Sequence, residues 1–125
     1  MKFRSIKENH LFGKAYTKGE RAVTSALAVY VLKDYAAKKL AKIDTRKQIK
    51  NRYGFTVSTK VGGAVVRSRC RRIMREGVRA LEARGNVKQG YLIVIAARSV
   101  TPKLKTQDII KALNHAFAKL DLFVQ

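Results

Sequence analysis

Residues 60–79 read KVGGAVVRSRCRRIMREGVR, and this stretch decides the fold of the 125-residue chain. On a helical wheel its small and apolar side chains collect on one narrow face, which is the spacing of a helix that buries a stripe. The Gly85-Asn86 pair that follows is a strong helix terminator. The stretch therefore predicts a helix with one side inside the protein. Its buried face comprises Val66, Cys70, Ile73, Gly77 and Leu81.

The opposite face of this predicted helix carries a row of arginines, with only Glu76 and Glu82 near enough to neutralise them. Because arginines one turn apart repel each other, such a helix gains from an external polyanion. A solvated basic face is the alternative, but arginine is well suited to bidentate phosphate contacts and to stacking on bases. We therefore expect this face to contact nucleic acid. The row consists of Arg67, Arg71, Arg72, Arg75 and Arg79, with Arg69 at its flank.

The charge of the whole chain points the same way. Lys and Arg number 28 against 8 Asp and Glu, a net charge of +20. Such an excess is tolerated most readily where the partner is negative, which indicates RNA, DNA or an anionic membrane. A membrane is the weakest of these, because no apolar run is long enough to span one and the N-terminus lacks the apolar core of a secretory signal. We expect a single domain over residues 1–125, located in the cytoplasm.

The remaining elements follow from residue type and period. Ser5 and Glu8 have the spacing of a capping box, which predicts a first helix that ends at Gly19. Residues 26–32 predict a strand, with a short strand before it at 22–24. Residues 91–97 predict the central strand of the sheet, because both their odd-numbered and their even-numbered positions are apolar. A last helix capped by Thr106 closes the core. Its buried side is Ile109, Ile110, Leu113, Phe117 and Leu120.

A strand at residues 53–60 alternates between two faces. One face is apolar, whereas the other carries only glycine, hydroxyl groups and Lys60. That second face is either a solvated surface or the floor of a groove in which a nucleic-acid backbone lies close. The two sets are Tyr53, Phe55 and Val57 on the first face, and Gly54, Thr56, Ser58 and Lys60 on the second.

Phe12 and Tyr16 lie one turn apart on the first helix. They could stack on bases or simply pack on the sheet, and apolar aromatics at helical spacing are usually packing residues. The element order is then α-β-β-β-α-β-α, an α+β fold with three helices on one small mixed sheet. A long, lysine-rich connection occupies about residues 33–52.

The chain offers no catalytic constellation. No two of its acidic residues form a motif that would chelate a metal or carry acid–base chemistry. His10 and His115 lie on separate helices and are interpreted as surface residues, and Cys70 is interpreted as a core residue. We predict no catalytic residue and no metal site in the protein, so any chemistry belongs to its partner.

The run from Lys60 to Arg75 resembles the signature of the bacterial ribonuclease P protein component, Lys-x-Gly-Asn-Ala-Val-x-Arg-Asn-Arg-x-Lys-Arg-x-x-Arg. The resemblance extends over most of the chain. Gly63 and Ser68 stand where the signature has asparagines, and Arg71 stands where it has lysine. The resemblance implies a left-handed crossover between the strands that precede and follow the arginine helix, against the usual right-handed rule.

The resemblance also implies a small subunit that assembles with a catalytic RNA to remove the 5′ leader from precursor tRNA. In that family the RNA holds the active-site magnesium and performs the hydrolysis. By matching position, the RNA-subunit contacts would be Arg67, Arg69, Arg71, Arg72, Arg75 and Arg79. The leader cleft would comprise Phe12, Tyr16, Ser58 and Lys60, with the two aromatic side chains at least partly exposed.

Two other functions remain as alternatives. The first is a structural RNA-binding protein, such as a ribosomal protein, that folds RNA without taking part in catalysis. The second is a self-contained metal-dependent nuclease, which is disfavoured because the carboxylates do not cluster in the sequence. We expect neither a membrane nor a small-molecule substrate as partner.

Overall fold

The computed structural model describes residues 4–6, 9–34 and 50–124. Within these described ranges, three helices pack on a five-stranded sheet with the strand order β1-β4-β5-β3-β2, the strands being numbered in chain order. A single turn of 3-10 helix at Thr101–Lys103 precedes the last helix. In chain order the elements are β1 (Arg4–Ser5), α1 (Asn9–Lys18), β2 (Glu20–Val23), β3 (Leu27–Lys33), β4 (Arg52–Thr56), α2 (Ala64–Ala83), β5 (Tyr91–Ala97) and α3 (Thr106–Lys119).

The sheet is mixed, which confirms the predicted α+β fold. β4 pairs in parallel with both β1 and β5, whereas β3 is antiparallel to β5 and to β2. β5 is the central strand, as its apolar sequence predicted. Because β4 and β5 are parallel neighbours, the chain crosses between them through α2. The handedness of that crossover stays a prediction.

One face of the sheet is covered by α2 and α3. The predicted buried stripe of α2 is confirmed for Cys70, Ile73, Gly77 and Leu81, whereas Val66 is only half-buried. A Cβ on Gly77 would lie 2.9 Å from Cγ2 of Ile109 and 3.0 Å from Cδ1 of Leu113. Glycine therefore lets α2 and α3 approach closely. Met74 and Val78 are also fully buried on this side.

The other face of the sheet is covered by α1. Ile6 and Ala15 pack there against Leu92 and Val94 of the central strand. The helix ends at Lys18, and the predicted stop at Gly19 is confirmed. A Cβ at Gly19 would lie 2.5 Å from the carbonyl oxygen of Ala15, so the chain can turn this tightly only at a glycine.

The predicted helix start at Ser5 is wrong, because Ser5 belongs to β1. It pairs in parallel with Tyr53 of β4, and the Ile6 N–H donates to the Tyr53 carbonyl over 2.9 Å. A two-residue strand therefore precedes α1. Backbone pairing with the sheet thus uses the segment in which the sequence placed a helix cap.

The predicted cap of α3 is also displaced by one residue. Lys105 is the N-cap, and its N–H donates to Oδ2 of Asp108 over 3.0 Å. Thr106 is the first helical residue, and its hydroxyl donates to Oε2 of Glu76 over 3.0 Å. The threonine hydroxyl thus joins α3 to α2 and does not cap its own helix. Ile110 and Leu120, both predicted to be buried, are half-buried.

Most of the connection predicted at about 33–52, namely residues 35–49, lies outside the described part of the chain. At its described ends, Asp34 is 1% exposed and forms a two-pronged ion pair with Arg52. The Nε–Oδ2 distance is 2.8 Å, and the Nη2–Oδ1 distance is 3.2 Å. The Asp34 N–H also donates to the Gly90 carbonyl over 3.0 Å. Asp34 therefore joins the end of β3 to the start of β4.

Glu82, which the sequence placed near the arginine row, is buried in the last turns of α2. Its Oε1 accepts hydrogen bonds from the Tyr53 hydroxyl and from Nδ2 of Asn51, and its Oε2 accepts one from Nε2 of Gln89 over 3.0 Å. The Oδ1 of Asn51 accepts the Tyr91 N–H over 2.9 Å. This polar cluster joins the end of α2 to the starts of β4 and β5. A buried carboxylate needs such donors to offset its desolvation.

Tyr53→Phe should reduce the sensitivity of the fold to alkaline pH. Burial, and secondarily the Glu82 charge, raise the pKa of the Tyr53 hydroxyl far above its ordinary value of 10.0. The raised pKa contributes stability that is fully present below about pH 10 and is lost as pH rises, because only the unfolded chain then ionises. Between about pH 10.5 and 11.5 the wild-type free energy of unfolding should fall by roughly 1 kcal/mol more than that of Tyr53→Phe.

The measurement is urea unfolding at a series of pH values. The two proteins share every lysine and every other tyrosine, so the difference between their slopes isolates Tyr53. Parallel slopes would contradict the prediction.

Candidate nucleic-acid interface

The predicted arginine row lies on the surface of α2. Arg72, Arg75 and Arg79 are exposed, and Arg67 and Arg71 are half-buried. The rotation of α2 about its axis explains this placement, because the apolar stripe faces the sheet and α3. The structure therefore brings these five side chains to one helix and leaves three of them exposed to solvent, whereas the Nε of Arg67 is buried without a hydrogen-bond partner.

The N-terminal end of α2 adds to this positive surface. Gly63 is the N-cap, and no side chain caps the helix there. Open N–H groups and the helix dipole favour an anion at such an end. Apart from its chain neighbours, no heavy atom lies within 4 Å of a Cβ built on Gly63, so the first side-chain atom of the signature's asparagine would fit here.

Arg69 differs from the rest of the row because internal carbonyl groups bind its guanidinium. Nη1 donates to the Pro102 carbonyl over 2.8 Å, and Nη2 donates to the Leu104 carbonyl over 3.2 Å. The side chain is half-buried. Arg69 thus fastens the 3-10 turn to α2, which the sequence, placing it at the flank of the row, did not reveal.

Arg75 is held by an aromatic ring. Its Cζ lies 5.6 Å from the ring centroid of Phe55, which is half-buried on β4. A cation–π contact of this kind contributes about 0.5–1 kcal/mol at an exposed site. It orients the guanidinium and still leaves the side chain exposed.

A second surface lies on the opposite face of the sheet, around α1. Phe12 is half-buried, with its ring against Gly54 of β4. Tyr16 is 41% exposed and makes an edge-to-face contact with Tyr30 of β3, at 4.7 Å between centroids and 82° between planes. Both aromatic side chains therefore pack on the sheet and also keep exposed surface. Packing on the sheet, one interpretation of the sequence, does not exclude stacking on bases, the other.

On the α1 side, the sheet carries a row of uncharged side chains without rings, of which three are Thr or Ala and the fourth is a valine on the edge strand. Ala28 is buried, and Thr56 and Ala96 are half-buried. Thr56 pairs with Ala96, Ala96 with Ala28, and Ala28 with Val23, so these four residues cross four strands in line. They lie on the same face as Tyr30, because alternate residues of a strand share a face. Val23 is 49% exposed. We call this row the trough.

Ser58 and Lys60 are not part of β4, which ends at Thr56, so the strand predicted over 53–60 is too long. The Ser58 Oγ accepts the Lys60 N–H over 3.2 Å, and the Ser58 carbonyl accepts the Val61 N–H over 3.0 Å. These bonds form a turn, because a short hydroxyl side chain competes with strand pairing for nearby backbone groups. Both residues are exposed, on the turn that leads from β4 to α2.

Sequence reasoning missed two residues of the α1 side. Tyr30 supports Tyr16, and Arg21 pairs with Tyr30 in register and is exposed on the same face. The signal that could have found them was the alternation of β3, which separates Tyr30 from its neighbours Val29 and Val31. That alternation does not say which face of the strand a helix covers.

The described residues contain no group of three or more His, Cys, Asp or Glu side chains that could hold a metal ion. His10 and His115 are exposed, which confirms their interpretation as surface residues. Cys70 is fully buried, as predicted, and burial raises the pKa of its thiol. In the described part of the chain, no helix is long and apolar enough to cross a membrane.

These features define a small, strongly basic α+β protein with an arginine-bearing helix on one face of its sheet and partly exposed aromatic residues on the other. Comparisons with known proteins identify its family. The family model described as ribonuclease P matches residues 1–121. The chain belongs to the ribonuclease P protein family, the protein component of a ribonucleoprotein endoribonuclease.

Individual relatives agree with this assignment. The ribonuclease P protein component of Clostridium acetobutylicum is 34% identical over 124 residues, which cover 99% of this chain and 94% of that one. An RNase P protein from Staphylococcus aureus has a TM-score of 0.76 at 24% identity, over 98% of this chain and 99% of that one. That of Thermotoga maritima has a TM-score of 0.69 at 18% identity, over 90% and 94%. The two structures support the fold alone.

Arg69→Ala should destabilise the free protein, whereas Arg72→Ala should not. The first change removes two hydrogen bonds to partly buried carbonyls and should lower the free energy of unfolding by roughly 1–3 kcal/mol. The second removes an exposed side chain and should stay within about 0.5 kcal/mol of wild type. Urea unfolding without RNA measures both. Equal stabilities would show that Arg69 does not hold the 3-10 turn.

Proposed function

We propose that this chain binds two RNA elements at once. The arginine face of α2 contacts the catalytic RNA, and the aromatic side of α1 with the trough takes the 5′ leader of precursor tRNA. One observation carries the proposal: the two surfaces lie on opposite faces of the same sheet, so one RNA segment cannot occupy both. A protein that binds a single RNA element would need only one of these two surfaces.

The contribution of α2 in this proposal is electrostatic. Arg67, Arg71, Arg72, Arg75 and Arg79 neutralise phosphates of the catalytic RNA. Its association with a substrate that is itself a polyanion then meets less repulsion. Arg75 is already oriented by Phe55, so its contact costs less side-chain entropy. Arg69 binds the Pro102 and Leu104 carbonyl groups, which are neutral, so its full positive charge still adds to this surface.

The contribution of the α1 side is stacking. Phe12 and Tyr16 offer ring surface to unpaired bases without reading their sequence, which suits a leader of variable sequence. The trough lets the backbone of a single strand pass close to the sheet over β4, β5 and β3, where its residues are Thr56, Ala96 and Ala28 and no large side chain rises from it. Ser58 and Lys60 lie on the turn between the two surfaces, where a hydroxyl and an ammonium group can donate to phosphate.

The magnesium chemistry belongs to the RNA in this proposal. The described residues contain no cluster of three or more His, Cys, Asp or Glu side chains, and we assign no step to a metal on the protein. The protein favours magnesium binding by the RNA only indirectly, by lowering the repulsion between RNA and substrate. The expected cytoplasmic location is part of the same proposal.

Reconstitution of the chain with ribonuclease P RNA tests the whole proposal. We expect precursor tRNA to be cut at a magnesium concentration at which the RNA alone is inactive, and we expect the protein alone to cut nothing. Binding to the RNA without any change in cleavage would indicate a purely structural RNA-binding role. Cleavage by the protein alone would indicate that the protein carries a nuclease site of its own.

The double variant Arg71→Ala/Arg72→Ala should weaken binding to the catalytic RNA and flatten its salt dependence. Removal of each phosphate contact should reduce the slope of log affinity against log salt by about 0.7–0.9. The matched control is Lys111→Ala/Lys119→Ala, which removes the same charge from exposed positions of α3. Affinity is measured across a range of salt concentrations. If both double variants change the slope equally, the arginine face is not the specific contact.

Tyr16→Ala should weaken the binding of precursor tRNA by the reconstituted complex and leave that of mature tRNA unchanged. Removal of one stacking interaction costs roughly 1–3 kcal/mol. Tyr16→Phe keeps the ring and its edge contact with Tyr30, so it should bind like wild type. An equal loss of affinity for precursor and mature tRNA would place Tyr16 outside the leader site.

A further inference from the structure

Gly54 lies directly against the tip of the Phe12 ring. A Cβ built on Gly54 would be 2.5 Å from both Cε1 and Cζ of Phe12, and 3.3 Å from Cδ1 of Ile6. Real Cβ atoms essentially never approach another heavy atom within 3.0 Å. Any side chain at position 54 must therefore displace the ring.

The backbone does not need a glycine at this position. Gly54 lies inside β4 and pairs with Val94 of β5. Among the described glycines, only Gly85 and Gly90 have a positive φ. Glycine weakens a strand interior, and where φ is ordinary its usual reason is the close approach of another group. Here the approaching group is the Phe12 ring.

We propose that Gly54 is a positioning residue for the leader, because it sets the depth at which the Phe12 ring lies between α1 and β4. The inference rests on the proposed leader site. With glycine beneath it, the ring sits against the sheet, next to the trough residue Thr56 two positions further along β4. A base that enters the trough then meets the ring at the level of the sheet.

A methyl group at position 54 would change that geometry by a definite amount. Ordinary van der Waals contact begins at 3.4 Å, so the ring atoms now 2.5 Å from the Cβ position would have to move by about 1 Å. Stacking depends on close contact between faces, so a shift of this size reduces it. The effect should appear only in interactions that use the ring.

The experiment compares precursor and mature tRNA binding by the holoenzyme reconstituted from the catalytic RNA and each protein variant. The variants are Gly54→Ala, Phe12→Ala and the combination of the two. The matched control is Gly13→Ala, which adds the same methyl group to α1, where no heavy atom other than those of its chain neighbours and of the helix backbone lies within 4 Å of the added Cβ.

We expect Gly54→Ala to weaken precursor binding at least about fivefold, the lower end of the effect of removing one stacking interaction, and to leave mature tRNA binding unchanged. The double variant should match Phe12→Ala, because Gly54 acts through the ring and has no effect without it. Gly13→Ala should bind both RNAs like wild type. Thermal unfolding should show that Phe12→Ala relieves part of the destabilisation caused by Gly54→Ala.

The outcomes separate this inference from the proposed function. If Phe12→Ala weakens precursor binding and Gly54→Ala does not, the positioning role is overturned and the leader site stands. If Phe12→Ala leaves the preference for precursor unchanged, the leader site itself is wrong. Should Gly54→Ala fail to fold, a folded double variant would support the steric relation, and an unfolded one would overturn it.

Discussion

The structure depends on the burial of one side of α2 between the sheet and α3. Met74, Val78 and Leu81 are fully buried, and Gly77 brings α3 close enough for Ile109 and Leu113 to contact the helix. This packing fixes the rotation of α2 about its axis. A rotation by one residue, about 100°, would carry guanidinium groups into the core, where each unpaired charge costs several kcal/mol. The apolar contacts therefore determine where the arginines point.

Side chains of β4 point alternately to the two faces of the sheet, and each face belongs to a different surface of the protein. On β4, Phe55 faces α2 and contacts Arg75, whereas Gly54 and Thr56 face the α1 side. The helices on the two faces bury different sets of residues, with Ile93 in one cluster and Val94 in the other. A side chain on β4 can therefore influence only one of the two proposed RNA surfaces. The proposal gives a small protein two binding surfaces because helices pack on both faces of its central strands.

Much of this arrangement could be predicted from the sequence, because it follows from periodicity. The buried stripe of α2, the central position of β5 and the stop at Gly19 all rest on local patterns. The missed features depend on tertiary contacts. The sequence predicts a helix cap at Ser5, whereas the structure pairs Ser5 with Tyr53, a residue far along the chain. The hydrogen bonds of Arg69 likewise depend on the position of a turn 33 residues later. No local pattern carries that information.

The buried acidic residues show the same limit, and their placement also matters for the arginine face. Asp34 is paired with Arg52, and Glu82 is surrounded by the donors of Asn51, Tyr53 and Gln89, although no local pattern indicated that either carboxylate leaves the solvent. Three more carboxylates are bound at the surface of the protein: Glu76 accepts the Thr106 hydroxyl, Asp108 accepts the N–H of Lys105, and Asp121 pairs with Lys88. Because the chain has few acidic residues and several of them are bound within the fold, its surface keeps a strong positive potential.

That potential raises the rate of encounter with RNA and makes binding depend steeply on salt. The same few acidic residues therefore matter twice: their hydrogen bonds join parts of the fold, and their small number leaves the surface positive.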